Sequence, residues 1–258
     1  MKAEEIKNGI WTTERLNHIN KSTVTELTEY DGSSDLRLYI TQLTDRSSYQ
    51  QSKLVKEWCK TLPTFKSIEH LWLPSRVNQK MFDAICELPN LKTLWIKWSE
   101  IKRIEKIERL SKIQNLHIGS SSQIESIQPL AKLNTLITLE TEQLNKISNF
   151  ESLGVLTQLE GLGIDGSIWG TQKIDSLEFL TNITDLKYFT MSNSRLKTKS
   201  FEPLLSLKNL VRFNSSWNYP EKEFDKLKDH PTLKFGNIET SWKELKDQLN
   251  NEMKKNGW

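Results

Sequence analysis

The stretch LKTLWIKWSEIKRIEKIERLSKIQNLHIGSSSQIESIQPLAKLNTL, residues 91–136, contains the pattern that decides the fold. Its apolar residues follow the series Leu91, Leu94, Ile96, Ile101 and Ile104, and the series begins again at residue 113. Self-similarity at a fixed period of about 20–50 residues is the sequence signature of a repeat array, in which each repeat stacks on the next. The segment therefore predicts two successive units of such an array.

The same unit can be followed along most of the chain. Its first position recurs every 22 to 27 residues, at Ile68, Leu91, Ile113, Leu136, Leu159, Leu186, Leu210 and Leu233. Its fourth position is held by Leu71, Leu94, Leu116, Leu139, Leu162, Phe189 and Phe213, and by glycine in the last unit. Alternation of apolar and polar residues predicts one half-buried strand in each unit. The alternating segment 36–41 predicts one further strand upstream, in which we align Tyr39 with Trp72.

These columns resemble those of leucine-rich-repeat proteins with short units of roughly 22 residues, such as the internalin-like bacterial arrays. The resemblance implies that each LxxLxL segment forms a parallel strand on the concave side. It also implies that the ninth residue, usually Asn, hydrogen-bonds the backbone in the following turn. Ser or Asn holds this position in five of the seven units from residue 68 to residue 218, and the departures are Arg76 and Leu144.

The expected fold class is an α/β leucine-rich-repeat solenoid with a concave parallel β-sheet. Its convex side should carry short helices, 3₁₀ turns and loops, because apolar residues every three positions, as in segment 101–113, favour 3₁₀ turns. We expect an N-terminal cap over 1–34, or alternatively a separate interaction arm there. The repeat array should cover 35–239, with clear units from 68. A capping helix should cover 240–258, since Ser241 and Glu244 fit a capping box.

Composition narrows the class of protein. The net charge of +3 is small for 258 residues, which disfavours nucleic acid as a partner. No apolar run is long enough to span a membrane, and no secretory leader is visible, so we expect a soluble, cytoplasmic bacterial protein that is monomeric. Cys59 and Cys86 lie at apolar positions of expected helices, which favours reduced, buried thiols over a disulfide or redox role.

The sequence contains no motif that specifies a reaction. The segment 161–166 matches GxGxxG, but its Leu162 and Ile164 are repeat-strand core positions. The helix that a dinucleotide site requires after the glycines is not expected there. The four histidines lack metal-ligand spacing with one another or with the cysteines. We therefore expect no enzyme activity, no metal and no cofactor.

The informative positions are those that point outward from the strands and line the concave face. The fifth position runs from Trp72 and Trp95 through His117 and Glu140 to Gly163, so the face changes from aromatic to acidic and bare. The predicted partner-binding residues are Tyr39, His70, Trp72, Trp95, Lys97, Trp98, His117, Glu140, Glu142 and Asp165. Exposed indole rings at adjacent positions typically mark an interface, although the rings could instead stack on one another or be covered by the N-terminal cap.

These observations favour a scaffold that binds another protein on its concave face, with a role as a regulator or inhibitor as one option. The alternative is a carbohydrate or small ligand stacked on an aromatic platform of Trp72 and Trp95. The fifth unit is longer than the others, and its surplus over 166–173 predicts a loop. Within this loop, Trp169 could fold back onto the convex core or stand exposed as a contact.

Overall fold

In the computed structural model, which describes residues 1–9, 22–241, 244 and 247, the chain forms a stack of strand-and-turn units. Nine strands within this part of the chain form one parallel sheet, in the order β1-β2-β3-β4-β5-β6-β8-β10-β11. They are β1 (Asp35–Arg37), β2 (His70–Leu73), β3 (Thr93–Ile96), β4 (Asn115–Ile118), β5 (Thr138–Glu142), β6 (Gly161–Asp165), β8 (Tyr188–Met191), β10 (Arg212–Ser215) and β11 (Phe235–Gly236). Neighbours in the sheet are consecutive units of the sequence, as in a solenoid.

The register of the units from residue 68 onward is the predicted one. Leu71, Leu94, Leu116, Leu139 and Leu162 are successive partners across the sheet, and each is fully buried. A continuous core therefore runs through the array, with each unit covering its neighbour.

The prediction for the first unit was wrong by two residues. Leu36 pairs with Leu71 and Arg37 with Trp72, so Arg37, and not Tyr39, is the fifth-position neighbour of Trp72. Tyr39 lies beyond the end of β1, where its backbone N–H donates to Val24 O. A shift of two residues keeps the same side chains on the core side, because strand side chains alternate with a period of two.

Helices and 3₁₀ turns form the convex side. Apart from α1 (Ala3–Asn8), which precedes the array, the α-helices of the described residues are α2 (Ser48–Thr61), α3 (Gln79–Ile85) and α4 (Glu221–Leu227). The other units have 3₁₀ turns, over Glu105–Arg109, Gln128–Lys132, Glu151–Val155, Glu178–Asn182 and Glu202–Ser206. The prediction of 3₁₀ turns from strict period 3 is confirmed. A 3₁₀ turn has three residues per turn, which places every third side chain on the core side.

The hydrogen bonds expected of the ninth-position residues are present in only some of the turns. The Ser99 and Ser121 hydroxyls hydrogen-bond each other at 2.7 Å. At the ninth position held by Leu144, which has no polar side chain, the buried side chain of Gln172 bonds the backbone instead. Its Oε1 accepts from Leu144 N at 2.8 Å. Its Nε2 donates to Ile147 O and Lys173 O, both at 2.8 Å. Gln172 thus satisfies backbone groups of two units, a role that the repeat pattern did not predict.

Replacing Gln172 with leucine is expected to lower the free energy of unfolding by ~1–3 kcal/mol, because buried backbone groups would lose their partners. Urea denaturation measures this change. The matched control is Gln128→Leu on the exposed convex side, for which we expect less than about 0.5 kcal/mol. Equal stability of the two variants would show that Gln172 does not support the turn.

The long fifth unit adds a second small sheet. Strand β7 (Gln172–Ile174) pairs in parallel with β9 (Ser194–Leu196) beside the main sheet. Before β7, Ser167 and Gly170 form a tight turn, with Ser167 N donating to Gly170 O at 2.9 Å. At the tip of this turn Trp169 is 82% exposed, so it does not fold back onto the convex core.

Each end of the array carries additional structure. At the N-terminal end, Val24 pairs with Leu38, and the Trp58 indole donates to Thr25 O at 2.7 Å. At the C-terminal end, Ser241 N donates to Glu244 Oε2 at 2.8 Å and Glu244 N donates to Ser241 Oγ at 3.2 Å. This is the reciprocal bonding of a capping box. The apolar stripe expected after it lies outside the described residues, and the division into 1–34, 35–239 and 240–258 stays a prediction.

Candidate interaction surface on the concave face

The fifth positions of four neighbouring strands form a ladder across the concave face. The rings of Trp72 and Trp95 stack with centroids 5.0 Å apart, and those of Trp95 and His117 stack at 5.1 Å. His117 Nδ1 lies 3.1 Å from Glu140 Oε2, within hydrogen-bond distance. Parallel strands lie ~4.8 Å apart, which places successive rings at stacking distance. Trp72, Trp95, His117 and Glu140 are thus brought together as predicted, and we call them the aromatic ladder.

The prediction that both indoles are exposed was wrong for Trp72, which is only 3% exposed. Trp72 belongs with Tyr188 to a small apolar cluster, separate from the main core, against which Trp95 and Met1 pack. Trp95 is half-buried, and its two ring faces are covered by Trp72 on one side and His117 on the other. A sugar needs an open ring face for stacking, so this geometry disfavours the carbohydrate platform.

An acidic strip follows the ladder. Glu140 and Glu142 of β5 lie opposite Gly163 and Asp165 of β6. A Cβ added to Gly163 would lie 3.0 Å from Glu140 Cγ and 3.1 Å from Thr190 Cγ2, so glycine allows these side chains to approach. We call Glu140, Glu142 and Asp165 the acidic strip.

The strip contains one carboxyl with unusual acid-base behaviour. Burial, together with the nearby Glu140 carboxylate, raises the pKa of Asp165 to about 8. Its Oδ1 accepts from Thr190 Oγ1 at 3.1 Å and from Ser192 N at 2.5 Å, and these bonds oppose the rise in pKa without cancelling it. Asp165 therefore holds a proton through much of the neutral pH range.

The remaining predicted residues lie at the edges of the ladder. His70 is half-buried beside Thr93 in the third-position column. Lys97 is exposed at the exit of β3, and the guanidinium of Arg76 lies 5.1 Å from the ring centroid of the nearby Trp98. Tyr39 lies away from the ladder, and its hydroxyl donates to Gln42 O at 3.3 Å.

Several concave residues were not among those predicted. Tyr188 of β8 joins the apolar cluster of Trp72, and Glu160 forms an ion pair with Lys187, with 2.8 Å between Oε1 and Nζ. The Met1 amino group also pairs with Glu160, and Arg212 donates to Lys7 O. The third-position column contained Tyr188 and Arg212, but no local pattern indicates that residues 1–9 lie across the face.

Within 1–9, 22–241, 244 and 247, no three or more His, Cys, Asp or Glu side chains are grouped so that they could hold a metal ion. Cys59 and Cys86 have free thiols, and burial raises both pKa values, that of Cys59 to about 11. Thiols with raised pKa values stay protonated at neutral pH and are poor nucleophiles. In this same part of the chain, no helix is long and apolar enough to cross a bilayer.

Three solved structures are similar to this chain. Internalin F of Listeria monocytogenes is 15% identical, with 92% of this chain and 68% of that chain covered and a TM-score of 0.50. Internalin C2 of the same organism is 20% identical (68% and 71% covered, TM-score 0.48). A leucine-rich-repeat protein of Leptospira interrogans is 13% identical (87% and 67% covered, TM-score 0.43). No family model and no curated protein matches the chain.

The likeness to internalin F agrees with the nine-stranded parallel sheet and its convex turns. The predicted fold class is confirmed: the chain is an α/β leucine-rich-repeat solenoid with internalin-like repeats. At this level of identity the likeness establishes the fold alone. Function must be argued from the surface of this chain.

Proposed function

We propose that this chain is a non-catalytic protein-interaction scaffold that binds a protein partner on its concave face. The observation that carries the proposal is the continuity of that face. Consecutive strands present the aromatic ladder, and the acidic strip follows without a gap. Such a surface offers packed rings at one end and carboxylates at the other. It fits a partner with apolar side chains and a basic group.

The contact residues in this proposal are the predicted ones. The ladder residues would supply apolar contact, and Trp is enriched among residues that dominate binding energy. Glu140 and Glu142 would attract basic groups. His70, Lys97, Trp98 and Tyr39 would contribute at the rim. A role as a regulator or inhibitor, a cytoplasmic location and a monomeric state complete the proposal as expectations from the sequence.

Reversing one charge of the acidic strip tests the proposal. Glu142 is half-buried and accepts from Ser120 Oγ at 3.1 Å, so Glu142→Lys places a repelling charge inside the expected footprint. We expect partner affinity to fall about 10-fold or more, because like charges brought together across an interface cost several kcal/mol. Quantitative affinity capture from the native host, followed by titration of the captured protein, measures the change.

Glu108→Lys is the matched control, since Glu108 is exposed on the convex 3₁₀ turn and the charge change is identical. It should leave partner affinity unchanged. Circular dichroism should show that both variants are folded. If the two variants bind the partner equally well, the concave face is not the binding surface.

A further inference from the structure

Residues 1–9 lie on the concave face instead of at the end of the array. Within this segment, α1 spans Ala3–Asn8. The Met1 side chain packs against the cluster of Trp72 and Tyr188. At the other end of the segment, the Arg212 guanidinium donates to Lys7 O. These contacts involve Trp72 of β2, Tyr188 of β8 and Arg212 of β10. The segment therefore lies over part of the concave face, including Trp72 at one end of the aromatic ladder.

The segment depends on the face for its shape. Helix α1 has only six residues and buries none of them completely. Isolated helices shorter than ~12–15 residues are marginal in water, so α1 on its own would not persist. Its internal support includes the bonds from Ile6 N to Lys2 O at 3.1 Å and from Gly9 N to Glu5 O at 2.9 Å. A bound peptide that folds against a receptor surface has these properties.

The contacts also define what the face recognises. The cluster of Trp72 and Tyr188 receives an unbranched apolar side chain, that of Met1. Glu160 receives a cationic group, and its second partner Lys187 keeps the carboxylate in place. Arg212 receives a main-chain carbonyl oxygen. These three features describe a short peptide with an apolar side chain near a positive charge.

We propose that the concave face is a peptide-binding surface and that residues 1–9 are its intramolecular occupant. On the basis of the proposed function, the partner presents the same chemistry and binds by displacing this segment. Because the segment belongs to the same chain as the face, its local concentration is high. A weak set of contacts therefore suffices to hold it in place. The apparent affinity of a partner is then its intrinsic affinity multiplied by the fraction of time that the face is uncovered.

Two proline substitutions in the full-length chain separate docking from folding. Ile6→Pro removes the N–H that bonds Lys2 O and breaks α1 in its interior. Ala3→Pro is the matched control, because Ala3 is the first residue of α1, where proline is tolerated. Neither position belongs to the main core, so the melting temperature should change little in both variants.

The probe is a synthetic peptide of residues 1–9 with a fluorophore on its C-terminal end. We expect it to bind Ile6→Pro at least 10-fold more tightly than it binds the parent or Ala3→Pro, as measured by fluorescence anisotropy. A 10-fold difference corresponds to a face that is covered nine-tenths of the time in the parent. Adding Arg212→Ala to Ile6→Pro should reverse the gain. The indole N–H resonances of Trp72 and Trp95 should shift in Ile6→Pro alone.

Equal or absent peptide binding in all three proteins would overturn the intramolecular occupancy, whatever happens to the partner. Partner affinity is a separate readout. It should rise in Ile6→Pro together with peptide affinity. If peptide affinity rises and partner affinity does not, the segment occupies the face but the partner binds elsewhere. That result would refute displacement, whereas the comparison of Glu142→Lys with Glu108→Lys decides on the proposed function.

Discussion

Replacing Leu139 with alanine is expected to lower the free energy of unfolding by ~2–5 kcal/mol. Leu139 is the fourth-position residue of β5, is fully buried, and lies between Leu116 and Leu162 of the neighbouring strands. Removing its side chain loses buried apolar contact and leaves a cavity that the flanking units cannot fill without moving. Each repeat contacts only its neighbours, so the loss of one interface should also weaken the coupling between the two halves of the array.

Chemical denaturation of Leu116→Ala and Leu139→Ala measures this effect, and hydrogen exchange shows how far it spreads along the strands. Val155→Ala is the control, because Val155 is a 63% exposed apolar residue on the convex side. It should change the free energy of unfolding by less than about 0.5 kcal/mol. Losses below about 1 kcal/mol at both leucines would contradict the assigned core register.

Replacing Asp165 with asparagine is expected to stabilise the protein at pH 9 and to have little effect near pH 4. The pKa of Asp165 is raised from its ordinary value of 3.8 to about 8 in the folded state, chiefly by burial and then by Glu140. The protonated form therefore contributes stability that is fully present below about pH 4 and is lost as pH rises through about 8. The loss is up to ~1.4 kcal/mol for each pH unit in this window, reduced by the partial exposure of the side chain.

The measurement is the melting temperature of the parent and of Asp165→Asn between pH 4 and pH 9. Other groups titrate in this range, so the difference between the two proteins is the readout. Asparagine retains the oxygen that accepts from Thr190 Oγ1 and Ser192 N, so the variant removes the charge and keeps these bonds. Asp185→Asn, at an exposed position, is the matched control for replacing a carboxylate with an amide. A constant difference across the pH range would show that Asp165 is ionised throughout.

Several features of this protein follow from its sequence alone. The register of the units from residue 68 onward is encoded locally, because a shift of one residue would turn every core leucine toward solvent. The 3₁₀ turns follow from apolar residues at every third position, and the capping box at Ser241 follows from side chains three residues apart. The ladder of Trp72, Trp95 and His117 also follows, since equal positions in consecutive parallel strands must be neighbours.

Other features were decided by contacts between residues far apart in the chain. The alternation of apolar and polar residues could not distinguish Arg37 from Tyr39 as the neighbour of Trp72, because both satisfy a period of two. The pairing of β1 with β2 determines that the neighbour is Arg37. Gln172 takes over the turn at Leu144 from another unit, at a separation that the repeat pattern does not contain.

The concave surface shows most clearly that periodicity alone does not determine exposure. A periodic pattern assigns a side chain to a face of the sheet, but the exposure of that side chain depends on what else lies on the face. Trp72 points away from the main core and is nevertheless buried, in a cluster against which Met1 packs across a large separation in sequence. Trp169 stands exposed because hydrogen bonds between Ser167 and Gly170 hold its turn closed. Periodicity is a local property and determined which residues share a face, whereas only long-range packing determined which of them meet solvent.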